Sequence, residues 1–269
     1  MSDNENTKSE MSFLDHLEVL RWHLVRSSIA ILTFSILAFI FKSFLFDKVI
    51  LAQMDNNFWT YRMFCKLSNL LGKGDSLCLG DINFNLINIS MSGQFTIHMM
   101  TSFTAGIIMA FPYILYEVWR FISPALKMKE KKYARALVFA GSVLFMIGIL
   151  FGYYLVSPLS VQFFGNYHVS EIVTNQIDLS SYISNVTSTT FACGLVFELP
   201  LIVYFLSKIG LVTPALMRKF RKHAIVVTLT VAAILTPPDI TSQILLSIPL
   251  LILYEFSIYV SKAVAKQSK

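Results

Sequence analysis

An acidic residue inside an apolar stretch is the feature of this sequence that points most directly to chemistry. Glu198 lies eight residues before Leu206, where the stretch ends, about 12 Å away at ~1.5 Å per helical residue. An ionised carboxylate at that depth in a membrane is costly unless water or a partner compensates it. We therefore predict a functional role for Glu198. The alternative is a protonated glutamate that hydrogen-bonds its neighbours, near the backbone carbonyl that Pro200 leaves free.

The residues that usually perform enzyme chemistry do not form a recognisable motif. The sequence contains no HExxH, no GxSxG and no phosphate-binding P-loop. Its five histidines are scattered, and its three cysteines include no CxxC pair. We therefore predict that the protein is not an enzyme and uses neither a metal nor another cofactor.

The composition indicates a membrane protein. Of 269 residues, 55% are hydrophobic and only 14% are charged, whereas soluble domains carry about 25% charged residues. The net charge of +6 could suggest nucleic acid binding. The basic residues flank apolar stretches, however, and this favours contact with the lipid bilayer over nucleic acid.

The apolar stretches predict an all-α fold with six transmembrane helices. The spans cover about residues 24–46, 95–122, 134–156, 184–206, 222–236 and 240–260, within one domain over 1–260 and before a short basic tail at 261–269. The last two spans are short and meet at a tight turn, and a single re-entrant hairpin is the rival interpretation. The amphipathic residues 13–24 predict a helix on the membrane surface before the first span.

The distribution of Lys and Arg predicts the orientation. One side of the membrane would carry only five basic residues, and the other side the remaining 17 of 22. The five are Lys42, Lys48, Arg62, Lys66 and Lys73. The positive-inside rule places the larger group in the cytoplasm, so both termini are predicted to be cytoplasmic.

Two of the cysteines fall in the first exported loop, which covers about residues 47–92. Cys65 and Cys78 would face an oxidising compartment there, and a bridge between them would stabilise the fold by ~3 kcal/mol. Two free, packed thiols are the alternative. Cys193 lies inside the fourth span and is expected to stay reduced.

Four segments together resemble one protein family. They are His16-Leu-Glu-Val-Leu-Arg21, Tyr116-Glu-Val-Trp-Arg-Phe-Ile-Ser-Pro-Ala-Leu126, Phe197-Glu-Leu-Pro200 and Leu235-Thr-Pro-Pro-Asp-Ile-Thr-Ser-Gln243. Each segment alone is a weak signal. In this order and across six predicted spans, they resemble TatC, the multispanning subunit of the twin-arginine protein translocase.

The resemblance implies a bowl-shaped six-helix protein in the bacterial inner membrane. It implies a receptor for folded precursor proteins with twin-arginine signal peptides, and export driven by the proton-motive force. The implied partners are a TatA-type single-span subunit and possibly a TatB-type one, in an oligomeric complex. A six-span ion or solute transporter is the alternative function.

The resemblance also assigns roles to individual residues. Glu130 and Pro124 match the signal-peptide site in the first cytoplasmic loop. Glu198 matches the buried acid of the fourth helix, and Asp239 and Gln243 match the exported-side hairpin. Because a lone buried acid needs a compensating group, we predict that Glu198, with Gln243 as a second intramembrane polar residue, helps to dock the partner's helix.

The amino-terminal motif departs from the family pattern in one position. Arg21 is present, but Val19 stands where the family usually has an acid, and Glu18 is the nearest carboxylate. A one-residue step on a helix turns a side chain by ~100°. We therefore expect Glu130 to contribute most to signal-peptide binding, with Glu18 and Arg21 in a secondary role. A second departure is Gln53, which stands where the family has a proline.

Overall fold

Helices make up most of the chain in the computed structural model, which describes residues 13–70, 72, 78, 84–122, 134–170, 172, 175–236 and 240–267. The helices are α1 (Phe13–Ile40), α2 (Trp59–Leu70), α3 (Gly93–Ile122), α4 (Ala134–Phe151), α5 (Ser157–Asn166), α6 (Leu179–Phe197), α7 (Leu199–Lys208), α8 (Pro214–Lys219), α9 (Arg221–Leu235) and α10 (Ile240–Gln267). A π-helical turn at Phe44–Ile50 and a 3-10 turn at Leu51–Met54 follow α1, and a second π-helical turn at Gly152–Val156 joins α4 to α5.

Five helical segments in the described residues are long and apolar enough to cross a membrane. They are Leu17–Ile40, Gly93–Ile122, Arg135–Asn166, Leu179–Lys208 and Gln243–Lys266. The prediction of a helical multi-pass membrane protein is therefore confirmed. Helix α9 has 15 residues, fewer than the ~20 that cross a typical bilayer, so the sixth span stays a prediction.

Two of the predicted segments have different boundaries in the structure. The amphipathic N-terminal residues do not form a separate helix, because α1 runs without a break through 28 residues that include neither Gly nor Pro. Conversely, the fourth predicted span is divided between α6 and α7, which meet at Glu198. Helix α10 continues to Gln267, into the residues predicted as a tail.

Glycines allow the long helices to approach each other closely. A Cβ atom on Gly106 of α3 would lie 2.7 Å from the backbone nitrogen of Ser35 on α1. On α4, a Cβ on Gly148 would lie 2.8 Å from the carbonyl oxygen of Cys193 on α6. In the π-helical turn that follows α4, a Cβ on Gly152 would lie 2.9 Å from the Cα of Thr190. Gly148 and Gly152, four residues apart in the third predicted span, therefore serve packing within the chain.

A small cap lies beyond the end of α1. It consists of residues 44–70 with two short strands, β1 (Asn85–Ile87) and β2 (Gln176–Asp178), which pair in parallel with Leu86 opposite Ile177. The structure joins Cys65, in the middle of α2, to Cys78 in a disulfide.

Gln53 attaches this cap to the membrane helices. Its side chain is fully buried, donates to the carbonyl oxygen of Tyr153 over 2.9 Å and accepts from the hydroxyl of Ser157 over 2.7 Å. The hydroxyl of Tyr61 donates to the backbone carbonyl of Gln53 over 2.9 Å. Gln53 thus completes a buried hydrogen-bond network.

Candidate functional site

Glu198 lies where the backbone changes from α6 to α7. Its backbone amide donates to the carbonyl of Leu195 over 3.1 Å, so the last turn of α6 is tightened. Its own carbonyl accepts from the backbone amides of Leu201 and Ile202 over 3.0 Å. Pro200 lacks an N–H group and is therefore suited to the first turn of α7, where no intrahelical partner would be available. The break is local and places the Glu198 side chain at the joint.

The carboxylate of Glu198 is buried and unpaired. The residue is 6% exposed, and neither carboxylate oxygen has a hydrogen-bond partner of normal geometry among the described residues. On α4, the backbone amide of Phe145 lies near the carboxylate, and a Cβ on Gly141 would be 3.4 Å from Oε2. Among the described residues, the carboxyl makes no hydrogen bond of normal geometry to the carbonyl that Pro200 leaves free.

An apolar cluster connects this joint to the last two helices. Phe197, the residue before Glu198, packs with Cys193 of α6, Ala232 of α9 and Leu246 and Leu250 of α10. The helix that carries Gln243 is therefore held beside the joint.

Gln243 itself contacts α9. Its Nε2 donates to the carbonyl oxygen of Leu229 over 3.1 Å, and the side chain is half-buried. The structure thus uses Gln243 to join the two last helices, one turn before Leu246 enters the apolar cluster.

The predicted signal-peptide residues are only partly described. Glu18 and Arg21 form an exposed pair on α1, with Oε1 and Nη2 3.6 Å apart and both side chains 66% exposed. Arg21 also lies 5.7 Å from the ring centre of Trp22. Glu130, Pro124 and Asp239 lie outside the described residues.

A buried pair of His23 and Glu117 was missed by the sequence analysis. Nδ1 of His23 contacts Oε2 of Glu117, and the two residues are 9% and 2% exposed. Tyr113, one turn earlier on α3, also bonds the Glu117 carboxylate. The partners stand 94 positions apart in the chain. The only sequence signal was the spacing of Tyr113 and Glu117, which places them on one face of a helix.

Within the described residues, no group of three or more His, Cys, Asp or Glu side chains could hold a metal ion. Three carboxylates of the described residues are relevant instead: Glu198 is unpaired between helices, Glu117 is paired with His23, and Glu18 forms an exposed pair with Arg21. Such groups can bind a cationic or polar partner.

Comparison with known proteins gives consistent results over nearly the whole chain. Residues 15–249 match the family model described as Sec-independent protein translocase protein (TatC). The TatC protein of Blattabacterium sp. subsp. Periplaneta americana is 39% identical over 264 residues, which cover 98% of this chain and 99% of that protein. The TatC protein of Aquifex aeolicus is 34% identical over 260 residues, 96% of this chain and 98% of that one. A crystal structure titled Twin Arginine Translocase Receptor- TatC superposes with a TM-score of 0.69 at 35% identity, covering 93% of this chain and 99% of that chain.

Proposed function

The chain belongs to the TatC family of Sec-independent protein translocase proteins, and we propose that it is the signal-peptide receptor and core subunit of a twin-arginine translocase. As a translocase component it is a membrane transport protein, not an enzyme. In this role it exports folded proteins across the bacterial inner membrane with the proton-motive force. The observation that carries the proposal is the match over residues 15–249, because it includes all four motif segments completely and about half of the last predicted span.

The proposed topology has six spans and two cytoplasmic termini. Helix α9 would be about 22 Å long at ~1.5 Å per residue, short for a span but compatible with local thinning of the bilayer. The uneven division of the 22 basic residues supports this orientation. Single cysteines introduced at 127–132 should be labelled only from the cytoplasm, and one near residue 75 only from outside. Labelling of both segments from one side would contradict the topology.

We propose that Glu198 docks the helix of a TatA-type subunit, and of a TatB-type subunit where one exists. An acid within the membrane requires a compensating group, and the described residues provide none for this carboxylate. The joint between α6 and α7 leaves the backbone locally irregular, and Gln243 adds a second polar side chain on the adjacent helix. A polar or cationic group on a single-span partner would satisfy the Glu198 carboxylate.

The proposed signal-peptide site uses cytoplasmic carboxylates. Two guanidinium groups are bound best by carboxylates that accept bidentate, charge-assisted hydrogen bonds. Glu130 takes the main role and Glu18, already paired with Arg21, the secondary one. Pro124 would shape the loop, and Asp239 belongs to the exported hairpin.

Crosslinking to a twin-arginine precursor in native membranes tests the proposal. A photoreactive group beside the arginine pair should crosslink to this chain, and a precursor with two lysines in place of the arginines should crosslink much less. A chain that binds neither precursor, and that conducts ions or solutes when reconstituted alone, would instead be a transporter.

A further inference from the structure

A groove with two arginines lies between the N-terminal half of α1 and the end of α3. Its lining on α1 is Val19, Trp22, His23 and Arg26, whose spacing places them on one face of the helix, and α3 contributes Arg120. The groove has a volume of about 590 Å³. His23 forms its buried inner side, whereas Trp22 is 52% exposed.

The carboxylate closest to the groove already has hydrogen-bond partners within the protein. Glu117 lies beneath it, 2% exposed, and is bonded by His23 and by Tyr113. Arg120 is near enough to interact electrostatically with the Glu117 carboxylate, but the two side chains form no ion pair. Among the described residues, neither Arg26 nor Arg120 has a hydrogen bond or a salt bridge, so two exposed guanidinium groups remain available.

The surroundings of these two cations are apolar. Val19 and the ring of Trp22 form one wall, and both helices are among the segments able to cross a membrane. Arginines near the end of a membrane helix extend towards the phosphate level, and tryptophan is enriched at the same depth. A ligand that matches the groove therefore has an anionic oxygen-rich head and a hydrocarbon body.

We propose that this groove is a binding site for an anionic phospholipid of the bilayer. The guanidinium groups of Arg26 and Arg120 bind the phosphate by charge-assisted hydrogen bonds, and an acyl chain follows Val19 and Trp22. His23 and Glu117 are positioning residues that hold α1 against α3 at the width of the groove. The inference requires only that these helix ends lie at the membrane surface, and it does not depend on the proposed function.

The test uses the full-length chain, delipidated in detergent and titrated with phosphatidylglycerol or phosphatidylcholine under native mass spectrometry. We expect the wild type to bind one phosphatidylglycerol at least tenfold more tightly than phosphatidylcholine. Arg26→Gln and Arg120→Gln should each weaken phosphatidylglycerol binding about tenfold, and the double variant should lose the preference. The matched control is Arg218→Gln with Lys219→Gln, which removes two exposed positive charges from α8 and should leave binding unchanged.

Several results would overturn the inference. They are equal affinity of the wild type for the two lipids, an unchanged preference in the double variant, and an equal loss in the α8 control. A fourth is a double variant that loses binding of a twin-arginine signal peptide but keeps its lipid, because the groove would then hold peptide. If the glutamine variants fail to fold, the double variant Arg26→Lys with Arg120→Lys is tested in their place. Lysine keeps the positive charge but cannot bind a phosphate in the bidentate manner of arginine. We expect an intermediate loss there, and wild-type affinity would overturn the inference.

Discussion

Replacing Glu198 by methionine separates a role in docking from a role in the fold. Methionine is similar in length to glutamate and has no charged or strongly polar atoms. In the structure both carboxylate oxygens are buried without a hydrogen-bond partner among the described residues. A buried polar group in that state costs about 1–3 kcal/mol. We therefore expect Glu198→Met to increase the free energy of unfolding by up to that amount.

The same substitution should weaken recruitment of the single-span partner. A hydrogen bond to a charged group contributes about 1.5–3 kcal/mol, which corresponds to roughly ten- to a hundredfold in affinity. Binding of the signal peptide should not change, because its proposed carboxylates belong to other segments. The expected variant is thus more stable as an isolated protein and less active in export.

Two assays measure these effects. Reversible denaturant unfolding in detergent gives the stability, and site-specific crosslinking in membranes gives partner recruitment. The matched control is Glu255→Met, because Glu255 has a partner: its Oε2 accepts from Nη2 of Arg221 over 2.6 Å, and both side chains are about half exposed. Loss of that exposed pair should cost about 1 kcal/mol or less and leave recruitment unchanged.

One combination of results would refute the reasoning. If Glu198→Met lowers the free energy of unfolding by more than about 2 kcal/mol while crosslinking to the partner is normal, the carboxylate stabilises the fold and does not dock a helix. Glu198→Gln provides a further check, since it keeps the volume and polarity but removes the charge. Normal recruitment in this variant would show that a negative charge is not required.

Two further predictions concern the cap and the signal-peptide site. Peptide mapping by mass spectrometry without reduction should find Cys65 linked to Cys78, and Cys65→Ser should lower the free energy of unfolding by ~3 kcal/mol; two freely alkylated thiols in the native protein would contradict the bridge. In signal-peptide crosslinking, Glu130→Gln should abolish binding and Glu18→Gln should weaken it less, whereas Val19→Glu should strengthen it because it restores an acid at the position where the family usually has one. Normal binding by Glu130→Gln would show that the family site does not apply to this protein.

The general architecture could be predicted from the sequence because its causes are local. Five runs of about 20 apolar residues predicted the five long helical segments that the structure contains, and the short segment before Pro237 forms helix α9, whose role as a sixth span stays a prediction. The position of Glu198 inside an apolar stretch could likewise be read from the sequence. Gly148 and Gly152 are four residues apart, a spacing that places them on one face of a helix, and in the structure both pack against α6.

The state of each polar side chain was decided by the tertiary structure. The sequence placed Glu198 in an apolar stretch, but only the packing of α4 against the α6–α7 joint shows that its oxygens lack partners. Gln53 was noted only as a departure from a family proline, yet it bonds Tyr153 and Ser157 about 100 positions away.

The pairing of His23 with Glu117 has the same physical origin. Each residue belongs to a helix whose own pattern is complete without the other. Their contact depends on how α1 crosses α3, and that crossing is set where Gly106 lets the two backbones meet at Ser35. Local periodicity determines which residues face a neighbouring helix, but the crossing point determines which of them meet. The sequence by itself therefore determined the membrane helices and their charge distribution, and only the tertiary structure decided which buried acid has a partner and which does not.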